Sequence, residues 1–267
     1  MRAVATREPT ATAILKFASV QPYLFHIALA LYLPILLLLD ARVEERWQQH
    51  LLGVATAVLL IVATRFSPVS ERRFIYAAVV FWTGVEILGS LVWGIYIYRF
   101  DNLPLYVPFG HGLIYLFGLR AMRTPLAERH AGTIARVAIC IAVIWGIGGL
   151  TVLPLLTGRV DVAGALLLPI FVYGITRSRS AMFYAAVFIA TSTLEIIGTS
   201  LGNWRWVEVQ PLTHLPQGNP PSVIAGAYCI WDAVASRLAR RSRFIEASTT
   251  PIPDPSSSAT MGATAAE

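Results

Sequence analysis

The sequence predicts an all-α fold, a polytopic bundle of transmembrane helices. Three observations carry this. Charged residues make up only 13% of the 267-residue chain and hydrophobic residues 56%, against about a quarter charged in ordinary soluble domains. Long apolar runs recur from residue 23 to residue 238, and about 20 such residues span the ~30 Å hydrocarbon layer of a bilayer. The runs are also too long and too continuously apolar for the alternating strands of a membrane barrel, the other structure that satisfies its own backbone in lipid.

About eight spans are expected, over residues 23–40, 50–66, 74–97, 103–120, 134–156, 161–176, 181–203 and 221–238. The first ends in "LLLLDARVEE" without a small-x-small cleavage site, so it reads as a span rather than a signal peptide. The fourth contains Pro104 and Pro108, and the sixth is short and begins beside Asp161. "GIGG", 146–149, lies inside the fifth and reads as a helix-packing surface, since the strand-turn-helix context of a dinucleotide site is missing. Residues 1–20 form a basic leading segment, and the Pro-, Ser-, Ala- and Thr-rich residues 244–267 cannot bury a core. Cys140 and Cys229 both fall in spans, so no disulfide framework is indicated.

A pI of 9.6 is common among nucleic-acid binders, but the distribution of charge argues for a bilayer. With a cytoplasmic N-terminus, 16 of the 21 Lys and Arg residues fall on the inner side and only Arg42, Arg46, Arg99, Arg159 and Arg205 on the outer. This positive-inside asymmetry predicts cytoplasmic termini, with anionic lipid headgroups as partners and no nucleic acid; a plasma-membrane location is a separate expectation. Trp47, Trp93, Tyr96, Tyr98, Tyr106, Trp204 and Trp206 fall near the outer ends, as an interfacial aromatic belt would.

An internal repeat is expected. At an offset of 109 residues, Ala77 aligns with Ala186, Glu86 with Glu195, Ile87 with Ile196 and Gly89 with Gly198. The same offset lays the first two spans over the fifth and sixth. Two units follow, residues 21–125 and 126–243. Each has four spans and so enters from the same side, which makes the 4+4 repeat parallel rather than inverted.

The two aligned glutamates are the candidate site. An ionisable residue in mid-span costs a few kcal/mol and normally faces a bundle interior or cavity. Positions −3, 0 and +4 share a helix face, giving Thr83, Glu86 and Ser90 in one span and Ser192, Glu195 and Thr199 in the other. His111, in "VPFGHGLIY", returns from outside to the depth of Glu86, and Asp232 lies in the last span. Candidate catalytic residues are Glu86, Glu195 and His111. Trp82, Thr83, Ser90, Ser192, Thr199, Asn203 and Asp232 are candidate substrate contacts. No metal or soluble cofactor is expected, since there is no His-Glu-x-x-His, no paired-Cys motif, no phosphate loop and no Asp-rich motif; the two carboxylates with His111 have the chemistry to ligate a metal, but nothing in their spacing requires one.

"EILGSLVWGIYIY", 86–98, resembles the Glu-x-x-Gly…Gly-x-Tyr-x-Tyr pattern of integral membrane carotenoid-biosynthesis proteins of the hydratase type. "EIIGTSLGNWRW", 195–206, followed by "LPQGNPP", resembles the acid-x-x-Gly…Gly-x-Trp-x-aromatic…Leu-Pro pattern of membrane lycopene-cyclase domains. The likeness covers two segments of about 35 residues. It departs from the pattern in lacking Pro-Phe-Gly before Tyr96 and in having "PQGNPP" where a cyclase has paired acids. The resemblance implies acid chemistry on a hydrophobic, isoprenoid or carotenoid-like substrate within the bilayer. A carboxyl in a low-dielectric cavity favours its neutral form and can protonate an alkene, with aromatic faces stabilising the cation. Glu195, whose half has no histidine at that depth, is then the expected acid, and Glu86 with His111 the base. A proton-coupled carrier using the same glutamates and a non-catalytic membrane scaffold are the competing readings.

Overall fold

Apolar helices account for most of the chain in the computed structural model, which describes residues 23–177 and 180–229. They are α1 (Leu24–Asp40), α2 (Arg46–Thr64), α3 (Val69–Glu86, continued as a π-helical turn over Ile87–Val92), α4 (Tyr106–Ala121), α5 (Pro125–Thr151), the short α6 (Leu153–Thr157), α7 (Val162–Arg177) and α8 (Ala181–Leu201). Four are long and apolar enough to cross a membrane: α2, α3 with its π turn, α5 and α8. Helices α1 and α7 are shorter apolar helices. The last expected span, 221–238, and both chain-end segments lie largely or wholly outside the described residues.

Exposure follows hydrocarbon logic rather than aqueous logic. Helix α1 buries Leu29, Leu33, Leu36, Leu37 and Asp40 along one stripe, yet its opposite face is Ile27, Leu31, Ile35, Leu38 and Leu39. A helix apolar all round needs an apolar surround. The same holds on α5, where Ala135, Ala138, Ala142, Gly146 and Gly149 are buried while Val137, Ile141, Ile144 and Ile147 are exposed. Gly146 and Gly149 of "GIGG" therefore face the interior, while Gly148 faces open space: a Cβ on Gly149 would stand 3.0 Å from the Asp161 Cβ.

Helices α4 and α8 form the centre. Helix α4 packs against α1, α2, α3 and α8, and α8 packs against α1, α4, α5 and α7. The apolar runs located these helices, but local chemistry set their ends. Helix α5 starts nine residues before the expected 134, because Thr124 caps it by accepting from the Ala127 N–H and Pro125 takes the first turn. Its polar opening "PLAERH" is helical without being apolar. The expected span 74–97 instead ends at Val92. Gly94 (φ +63°) turns the chain, and Tyr96–Tyr98 forms strand β1, which pairs antiparallel with β2, Trp204–Trp206. The fold thus departs from all-α by a two-stranded ribbon on the expected outer side.

Buried polar hubs hold that side together. Asp40, fully buried, accepts from Gln49 Nε2 (2.8 Å), from the Tyr106 hydroxyl (2.9 Å) and from Asn203 Nδ2. It thereby joins α1, α2, α4 and the turn into β2. Asp161 caps α7 through the Gly164 N–H (3.0 Å) and also accepts from the Gly218 N–H (2.9 Å) and the Ser222 N–H. Replacing Asp40 by alanine leaves three donors without their acceptor in a dry setting. The expected cost is about 3 kcal/mol, read as a lower thermal midpoint in detergent; an unchanged midpoint would mean that water or other groups take over these donors.

Candidate functional site

Glu86 ends the α-helical part of α3, and Glu195 lies in the last two turns of α8. Both line one cavity of about 330 Å³, within the range of small-molecule pockets. Its wall is mostly apolar, with Leu33, Leu37, Val85, Ile114, Leu167 and Leu194 among the contributors. Among the described residues no lysine, arginine or aspartate lines it.

Each carboxylate is held by aromatic side chains from the strand that follows its own helix. Glu86 Oε2 accepts the Tyr96 and Tyr98 hydroxyls, both at 2.7 Å. Glu195 Oε2 accepts the indole N–H groups of Trp204 at 2.9 Å and Trp206 at 3.1 Å. A strand points alternate side chains the same way, so an aromatic-x-aromatic strand delivers two donors to one acceptor. Burial, followed by the charge of Glu86, pushes both phenols well above the ordinary tyrosine range, so they remain donors. Antiparallel pairing sets Tyr96 opposite Trp206 and Tyr98 opposite Trp204, with Ile97 and Arg205 at the centre. Tyr96 packs on Trp206 with ring centroids 4.5 Å apart.

The glycine one turn beyond each glutamate makes room for the first aromatic ring. A Cβ on Gly89 would meet Tyr96 Cε1 at 2.9 Å, and one on Gly198 would overlap the Trp204 ring outright. Gly94 and Gly202 (φ +63° and +77°) then release the chain into each strand. Tyr96 and Tyr98 lie 10 and 12 residues past Glu86, whereas Trp204 and Trp206 lie 9 and 11 past Glu195. The π turn at Ile87–Val92 absorbs the one extra residue.

The second oxygens differ. Glu86 Oε1 lies 3.0 Å from His111 Nε2, and His111 Nδ1 lies 2.7 Å from the Tyr228 hydroxyl. Oε2 already accepts two O–H groups, so the contact with His111 falls to Oε1. Trp82 stacks on the His111 ring at 5.1 Å and 11° and anchors its own N–H on the Tyr115 hydroxyl at 3.0 Å. Glu195 Oε1 has no such partner: among the described residues no hydrogen bond reaches it, and the side chain faces the cavity. One carboxyl is thus fully engaged, and the other keeps an oxygen open to a ligand.

Glu86, Glu195, His111 and Trp82 therefore come together. The proposed hydroxyl contacts do not. Thr83 donates to the Val79 carbonyl, Ser90 to that of Glu86 and Thr199 to that of Glu195, each one turn back on its own helix. Ser192 is buried outside the cavity lining, which takes its neighbour Thr191. The cavity-facing positions are −4, −1, 0 and +3 around Glu86 (Trp82, Val85, Glu86, Gly89), not −3, 0 and +4. At 100° per residue this face is rotated by roughly 80° from the polar one, and the glutamate sits on the border of both. Asn203 serves the Asp40 hub rather than the cavity, and Asp232 lies outside the described residues. Tyr96, Tyr98, Tyr106 and Trp206 are buried inward instead of forming an interfacial belt, because the carboxylates need their donors; Trp47 and Trp93 remain exposed. Tyr228 and Thr191 are cavity residues that helical periodicity around the glutamates did not single out.

No protein-family model, curated protein or solved structure matches this chain.

Gly198→Ala is expected to displace Trp204 and break its bond to Glu195, shifting tryptophan emission and lowering the thermal midpoint. Gly89→Ala should be milder, since the Tyr96 ring stands farther off. Wild-type emission and melting in both variants would show that the glycines do not set the ring positions.

Proposed function

We propose that this protein is a multi-pass integral membrane enzyme. It protonates an uncharged, isoprenoid-like hydrophobic substrate with Glu195 and completes the reaction with Glu86 and His111. The observation that carries this reading is the asymmetry of two carboxyls in one apolar cavity. Glu195 keeps one oxygen free at the cavity wall while Glu86 is committed to Tyr96, Tyr98 and His111. General acid–base catalysis needs such a difference, a donor facing substrate and a base with somewhere to pass its proton. The lack of lysine and arginine among the described lining residues favours an uncharged chain over a diphosphate ester. Trp82 and Tyr228, in ring contact at 4.5 Å, offer faces to a developing carbocation. No cofactor is required for this chemistry.

The wider architecture belongs to the same proposal: about eight spans, both termini cytoplasmic in a plasma membrane, and two four-span units related by a twofold along the membrane normal. Support comes from the matched Glu-x-x-Gly segments, each followed by a left-handed glycine and an aromatic-x-aromatic strand. The central Ile97–Arg205 pair of the ribbon is where such an axis would pass.

Two measurements test the reading. Lipid extracted from the purified protein should contain a polyisoprenoid, identified by mass spectrometry. With that compound as substrate, Glu195→Gln and Glu86→Gln should each lower turnover by at least ~10²-fold with folding intact. Near-normal turnover in both folded variants would make the carboxylates structural, and proton-coupled uptake of a small solute into proteoliposomes would favour a carrier instead. Reporter fusions at residues 101 and 208 should read external and those at 125 and 245 internal; an external reading at 245 would remove the parallel repeat.

A further inference from the structure

The opposite end of the bundle, far from the aromatic ribbon in sequence, carries five arginines on or beside the α2–α3 and α4–α5 connections, and they divide into two groups. Arg123 is paired with buried Glu71, which also accepts from Ser67 Oγ at 2.8 Å. Arg120 donates to the Ala63 carbonyl and lies 4.0 Å from the Phe25 ring centroid. These two hold the fold. Arg65, Arg72 and Arg73 do not: among the described residues none has a carboxylate partner or a side-chain hydrogen bond, and all three line one groove. Three cationic side chains on one groove, without a carboxylate partner among the described residues, repel one another unless an anion joins them.

The rest of the groove says what kind of anion. One helical turn, about 5.4 Å, before Arg65 on α2 stand Ile61 and Val62, both more than half exposed. One turn beyond Arg72 and Arg73 on α3 stands Tyr76, its hydroxyl tied to Thr64 Oγ1 at 3.0 Å. Both helices therefore present cationic heads at one level and an apolar or aromatic wall at the next. Phe66, 87% exposed beside Arg65, and exposed Val69 project from the turn between them. A free inorganic anion uses the arginines alone. An amphiphile with a phosphate head and acyl chains uses both.

We propose that Arg65, Arg72 and Arg73 form a binding site for the phosphate headgroup of an anionic phospholipid, whose acyl chain lies along Ile61 and Val62. Guanidinium forks match phosphate oxygens in pairs, and cations gathered at one membrane surface favour anionic over zwitterionic lipid. The site is independent of the cavity chemistry and stands or falls separately from it.

The test uses the full chain in nanodiscs of phosphatidylcholine with or without phosphatidylglycerol, with retained lipid counted by native mass spectrometry after detergent release. Wild type should keep phosphatidylglycerol in preference to phosphatidylcholine. Combined Arg65→Gln, Arg72→Gln and Arg73→Gln should weaken that retention by at least about tenfold, while Arg129→Gln with Arg136→Gln, on the exposed start of α5, should not. If the triple variant fails to fold, Arg73→Gln alone, on an exposed side chain, should still lower retention several-fold. Retention equal to wild type in the folded arginine variants overturns the proposal. So does an arginine-dependent thermal stabilisation by inorganic phosphate without any lipid preference, which would make the ligand a free anion.

Discussion

A carboxyl group placed among apolar side chains must find hydrogen-bond donors, since water is not there to supply them. Around Glu86 and Glu195 this requirement organises the expected outer half of the molecule. Two donors reach each Oε2 because an aromatic-x-aromatic strand follows each helix and turns both polar tips the same way. That strand can return only if a left-handed glycine ends the helix, at Gly94 and Gly202, and the first ring fits only if the helix lacks a side chain at Gly89 and Gly198. The two strands then satisfy their backbones by pairing with each other. What reads in the sequence as a scatter of glycines and aromatics is one device, built twice.

The two copies differ in ways that bear on chemistry. The first uses phenols and the second indoles, and only the first has a histidine at hand. Glu86 is tied on both oxygens, and its histidine is itself tied to Tyr228 and backed by the Trp82 ring. Such a chain holds a charge or passes a proton without moving. Glu195 is tied on one oxygen only. A carboxyl fixed in direction but open at one atom is left to meet whatever enters the mostly apolar cavity.

The remaining polar groups do other work. Asp40 at the end of α1 and Asp161 before α7 each gather three donors, and Glu71 pairs with Arg123 at the other end. All three bind segments together and leave the cavity to the glutamates. Position along the chain does not separate the classes. Asp40 and Glu86 are both acids at the end of an apolar helix; only the donors that the fold brings distinguish a structural hub from a cavity carboxyl.

The helices and the two glutamates were legible in the sequence because hydrophobic runs and mid-run charge are local signals. The residue pair Glu86 and His111 was legible as well, since depth in an apolar run can be counted along the chain. The cavity-facing side of each helix was not. A polar stripe at −3, 0 and +4 suggested one face, yet Thr83, Ser90 and Thr199 satisfy their hydroxyls on their own helices, and the packing of α4 and α8 opened the cavity on the neighbouring side. Nor could composition distinguish an aromatic belt facing lipid from aromatics turned inward, or place Asn203 beside Asp40, 163 residues away. Sequence by itself determined which segments are apolar and where charge interrupts them, because those depend on single residues and short spacings. Tertiary structure decided which oxygen of which acid is free, because that depends on donors arriving from elsewhere in the chain.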